Sequence, residues 1–155
     1  MKATRGIQLL VDQKIPHQVR AYEAVGFVSA VEGAKKLGIP AGAMFKTLIA
    51  RGERQGVVLA LVPGDESLSL RKLAQAMGDK RAEMVDPSEI SRLTGFIKGG
   101  VSPLGGRRSY PVYLDSSALQ HSTICVSAGM RGLAILIAPS DLAKVTKATV
   151  VDILE

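Results

Sequence analysis

Hydrophobic residues near the N-terminus recur at helical spacing. Ile7, Leu10 and Val11 fall at i, i+3 and i+4, while Asp12, Gln13 and Lys14 take the other side. That spacing gathers the apolar side chains into one stripe and predicts a helix over 4–14. From His17 to Tyr22 polar and apolar residues alternate, the period of a half-buried strand. Residues 29–37 read as a second helix, stopped by Gly38 with Pro40 just beyond. Two β-rich runs, 45–50 and 57–62, are joined by a polar, glycine-bearing segment, which predicts a β-hairpin.

Ser69 is placed to cap a helix through Met77, closed by Gly78. Asp86-Pro87-Ser88-Glu89 starts another, with Asp at the cap and Pro at the first position. Runs 110–114, 123–127 and 133–138 read as strands. Ser140 or Asp141 then starts a helix to about Lys147, and 150–154 closes as a strand. Helices and strands mix without strict βαβ alternation. The expected class is α+β, one domain over 1–155, with a mixed, curved or barrel-like sheet.

Composition narrows this in three ways. Three Tyr, three Phe and no Trp in 155 residues leave the core to aliphatic side chains. A single Cys argues against a disulfide-stapled secreted scaffold. No apolar run suits a signal peptide or the ~18 residues of a membrane span, so cytoplasm is the expected location. Lys and Arg number 20 against 14 Asp and Glu, a net charge of +6 that attracts polyanions.

Familiar catalytic constellations are missing. His17 and His121 lack metal-ligand spacing with each other or with Cys125, and no cofactor or metal is indicated. Cys125 sits in Thr-Ile-Cys-Val, where a buried filler is the simpler reading than a nucleophile. Three segments stand out. Lys46 heads an apolar strand, either as a snorkelling surface lysine or as a cation at a cleft mouth. The stretch 95–108 holds five glycines and Pro103, so its backbone can approach a ligand closely. Val126-Ser127-Ala128-Gly129-Met130-Arg131-Gly132-Leu133 is a tight turn between strands, in which Arg131 could bind an oxygen.

Taken in order, Phe45-Lys46-Thr47-Leu48, Gly99-Gly100-Val101-Ser102-Pro103-Leu104-Gly105 and the 126–133 turn resemble the signatures of the YbaK/EbsC family of Cys-tRNA(Pro) deacylases. Lys35-Lys36-Leu37-Gly38, Met84-Val85-Asp86-Pro87, Thr94-Gly95-Phe96 and Asp141-Leu142-Ala143-Lys144 are similar as well. The resemblance implies a barrel-like mixed sheet with flanking helices, related to the insertion domain of bacterial prolyl-tRNA synthetases. It also implies hydrolysis of mischarged tRNA, above all cysteine on tRNA(Pro), because a synthetase pocket rejects a near-isostere by only ~1–3 kcal/mol.

In the mechanism the family implies, the substrate's own thiol attacks its ester and the protein orients it. Lys46 matches the family lysine, and the backbone of Gly99, Gly100, Val101 and Ser102 matches the oxyanion contacts. Tyr22, Thr47, Pro103, Ser127, Gly129 and Arg131 match pocket positions. The family's phenylalanine aligns with Ser29, leaving Phe27 as the neighbouring aromatic. Ala134 stands where cysteine-specific members often carry Asp. Three readings therefore remain open: a Cys-tRNA(Pro) deacylase, a deacylase for another mischarged tRNA such as Ala-tRNA(Pro), and a non-catalytic module binding the acceptor end or a synthetase. Prolyl-tRNA synthetase is an implied partner.

Overall fold

The computed structural model describes residues 3–26 and 28–155. Its chain runs α1 (Arg5–Asp12), β1 (Gln18–Ala21), α2 (Ala30–Leu37), β2 (Phe45–Gly52), β3 (Gly56–Pro63), α3 (Leu70–Met77) and β4 (Ala82–Met84). After these come α4 (Ile90–Thr94), β5 (Val112–Asp115), β6 (Ile124–Met130), β7 (Leu133–Ile137), α5 (Pro139–Thr146) and β8 (Thr149–Val151). Short 3₁₀ turns at 41–43, 87–89 and 116–120 join them.

Helix ends follow side-chain chemistry. Thr4, Ser29 and Ser69 each accept a hydrogen bond from a backbone N–H of the first turn, relieving donors that a helix start leaves unpaired. Gly38 and Gly78 close α2 and α3 at φ 72° and 71°, left-handed geometry that glycine adopts without steric cost. Two expectations shift. The Asp86 cap leads first into the 3₁₀ turn, and α4 starts at Ile90. Helix α5 begins at Pro139, with no side-chain cap, because a proline fits the first helical position where no N–H partner is required.

The expected α+β class holds, with the strands arranged in two sheets. One sheet has the order β4-β2-β3-β5-β8, antiparallel except for β3-β5 and β5-β8, and the other is antiparallel β1-β7-β6. A lone parallel bridge, Met44 to Cys125, joins them. Strand β3 explains the layering. Its Leu59 and Leu61 enter the core shared with Val126, Ile135 and Ile137, while Val58, Ala60 and Val62 pack under α3 against Leu73 and Met77. A strand covered on both faces has no solvent side, which accounts for its unbroken apolar run. Helix α2 seals the seam between sheets through Ala34 and Leu37, packed with Met44, Cys125 and Ala134.

Candidate functional site

Beyond the Met44–Cys125 bridge, β2 and β6 part, and a cleft of about 380 Å³ opens between them. Met44 and the first four residues of β2, Phe45 to Leu48, line it, so the strand is met edge-on. Pairing supplies the reason. The Met44 carbonyl accepts from Gly64 on the β3 side, whereas that of Ile49 accepts from Val85 on the opposite side. Alternation then turns the peptide groups of Phe45, Thr47 and Ile49 away from β3. Between the bridge and β4, whose register with β2 starts at Ala50, Thr47 carries its N–H and C=O on the side away from β3.

Lys46 and Thr47 flank this edge from opposite faces of the strand. The Lys46 ammonium donates to the Gly64 carbonyl at a long 3.4 Å, so it rests at the mouth with capacity for a better acceptor. The Thr47 hydroxyl is buried and has no hydrogen-bond partner among the described residues. Ser29 and Ala30, at the start of α2, also line the cleft, directing the positive end of that helix to the side Lys46 occupies. Lys98 adds a third source of positive potential. Met44, Phe45, Leu48, Ile90 and Val101 make the rest of the wall apolar.

Opposite β2, the glycine-bearing loop presents Lys98, Gly99 and Val101. Gly99 has φ 87°, and Gly100 is pressed on the β6–β7 turn, where a Cβ would stand 3.1 Å from the Met130 Cα. Its N–H is already committed to the Ile97 carbonyl at 2.9 Å. Ser102 is buried, its hydroxyl accepting from the Leu104 N–H at 3.1 Å. Arg131 donates from Nε to the Lys98 carbonyl at 2.8 Å and so pins the loop from outside.

Of the residues singled out in the sequence, the structure brings Tyr22, Lys46, Thr47, Gly99, Val101 and Ser127 into this cleft. Gly100, Ser102, Pro103, Gly129 and Arg131 stand around it without lining it. Phe27 lies outside the described residues. Ser127 precedes a bulge in β6, and its hydroxyl accepts from the Gly129 N–H at 3.1 Å. Tyr22 is fixed by its backbone N–H on the Gly132 carbonyl, and burial raises its phenol above the ordinary value, keeping it a proton donor. Ala134 is fully buried behind that wall. Gly64 and Lys98 were missed as lining residues. The turn after β3 and the head of the glycine loop were the available signals.

The cleft combines cations, a strand edge and a buried hydroxyl, and among the described residues no Cys, His, Asp or Glu lines it. Cys125 is wholly buried, with its thiol pushed up to about 12 by burial. The protein side of the site can orient a ligand and stabilise negative charge.

Residues 26–145 match the model of the aminoacyl-tRNA editing domain. The chain belongs to that family. It is 38% identical over 144 residues to the "Putative Cys-tRNA(Pro)/Cys-tRNA(Cys) deacylase EbsC" of Enterococcus faecalis, covering 92% of this chain and 88% of the relative. The "Multifunctional Ser/Thr-tRNA deacylase ProXp-y" of Escherichia coli is 27% identical, with 96% and 90% covered. A crystal structure of "a putative trans-editing enzyme for prolyl tRNA synthetase" superposes with a TM-score of 0.81 at 32% identity, covering 90% of this editing-domain chain and 87% of that one.

Proposed function

We propose that this editing-domain protein is a trans-acting deacylase that hydrolyses the ester of mischarged tRNA, with Cys-tRNA(Pro) as its first substrate. The observation that carries the reading is the cleft along the edge of β2, with Lys46 on one flank, Thr47 on the other and no Cys, His, Asp or Glu among the described residues of its lining. Such a site suits a substrate that brings its own nucleophile. The cysteinyl sulfur attacks the ester carbonyl, the S–C bond forms, and the C–O bond to the terminal ribose breaks. The thiol proton ends on the released ribose hydroxyl, and water later opens the cyclic thioester. Lys46 neutralises the oxyanion of the tetrahedral stage, and the peptide edge of Thr47 with the backbone of Gly99 and Val101 holds the acyl group in place. The EbsC name supports cysteine, and the trans-editing structural neighbour supports prolyl-tRNA synthetase as the partner that supplies tRNA.

One feature favours a second substrate class. The unpartnered Thr47 hydroxyl suits a hydroxyl-bearing side chain, in line with the name of the Escherichia coli relative. Release of amino acid from preformed Cys-, Ala-, Ser- and Thr-charged tRNA, with Lys46→Ala as control, decides between them. Lys46-dependent cysteine release supports the first reading, and serine or threonine release with cysteine retained supports the second. Salt-dependent tRNA binding without turnover of any ester would leave a binding module instead.

A further inference from the structure

The loop that walls the candidate site has a second side. Residues 98, 99 and 101 face the Lys46 cleft, whereas residues 102–106 line a separate cleft of about 350 Å³. Two of the six aromatic side chains in the sequence, Phe96 and Tyr110, help to line it, together with Arg108 and Lys147. Both rings are held. Phe96 rests between Gly106 and Gly129, at which a Cβ would come within 3.4 and 3.1 Å of its ring carbons. Tyr110 donates its hydroxyl to the Leu93 carbonyl at 2.7 Å. The two cations are exposed, and neither takes part in an ion pair among the described residues. Lys147 moreover sits at φ 56° at the end of α5, where glycine would be less strained.

Fixed aromatic faces beside uncommitted cations are the components of a site for unpaired nucleotides, since every base has a π-face and every linkage a phosphate. We propose that this second cleft binds an unpaired nucleotide of the tRNA 3′ end, upstream of the aminoacylated adenosine held in the first cleft. The inference rests on the deacylase reading for the identity of the nucleic acid. The 3′ strand crosses the glycine loop, with the loop as the divider between the reacting residue and the nucleotide that anchors it. Phe96 and Tyr110 offer the stacking faces, and Arg108 and Lys147 meet the phosphates.

The test uses the full chain and two uncharged RNA hairpins, one ending in a single-stranded ACCA 3′ tail and one blunt. Wild-type protein is expected to prefer the tailed hairpin. Phe96→Leu keeps an apolar contact on Gly129 and removes the stacking face, and it should cut that preference by roughly fivefold or more. The double variant Arg108→Gln/Lys147→Gly, in which glycine suits the left-handed backbone, should lower the slope of log affinity against log salt by about 1.4. Equal binding of both hairpins by the wild type overturns the proposal, as does full tail preference with an unchanged slope in both variants. Because the assay needs no turnover, an inactive wild type would tell against the deacylase reading alone.

Discussion

Replacing Thr47 with Val separates the two roles a buried hydroxyl can have. Its Oγ1 is buried and makes no hydrogen bond among the described residues, so folding takes it from bulk water without a protein partner in exchange. A hydroxyl buried in this way costs about 1–3 kcal/mol. Valine keeps the branched shape and removes that cost, so Thr47→Val should be more stable by a similar amount. At this chain length the gain corresponds to a rise in melting temperature of roughly 2 °C per kcal/mol or more. Thr47→Ser, which retains the hydroxyl, controls for the preference of strands for valine. If the hydroxyl meets substrate, kcat/KM of Thr47→Val falls by about tenfold, the equivalent of one hydrogen bond of ~1.4 kcal/mol. Thermal unfolding and deacylation on the same preparations give both numbers. A variant that melts lower and hydrolyses normally would refute the reasoning, because the hydroxyl would then be satisfied in the free protein and idle in the reaction.

Other perturbations have equally definite signs. Arg131→Ala frees the Lys98 carbonyl, so amide exchange over 98–102 should quicken and KM rise severalfold, with little change in melting temperature. Asp79 accepts from the N–H groups of Gln55, Arg54 and Lys80, and these bonds hold its carboxyl below the ordinary range. A depressed folded-state value contributes stability above the ordinary carboxylate pKa that is lost as pH falls through the folded one. Urea midpoints should therefore separate wild type from Asp79→Asn at pH 7 and converge below about pH 4. Cys125, with its thiol pushed up to about 12, should resist a thiol reagent at neutral pH until denaturant is added, and rapid labelling of native protein would contradict its burial.

Local chemistry in the sequence was enough for α2 and α3, where Ser29 with Gly38 and Ser69 with Gly78 mark the ends. The hairpin of β2 and β3 was equally plain from its two β-rich runs. Strand β4 was not, because three residues with no alternation become a strand only when Ala50 to Gly52 lie alongside them. The division into two sheets was hidden for a related reason: it depends on Met44 meeting Cys125, a contact between distant parts of the chain. At the site, Lys46 and Thr47 were visible as residue types, but the strand edge between them was not, since it depends on a partner whose register starts only at Ala50. The glycine loop was recognised without its sidedness. Ser102 and Pro103 face away from Lys46, and Arg131 spends its Nε on the protein's own backbone.

A cleft formed where two strands separate has its width set by an angle. At its closed end lie the isolated rung between Met44 and Cys125 and the small side chains packed with it, Ala34 and Ala134 among them. One added methyl group there acts as a wedge in a hinge, displacing the far ends of β2 and β6 more than the point where it is inserted. Substrate selectivity in such a fold can drift through positions that never touch the substrate, while every residue of the cleft wall stays the same.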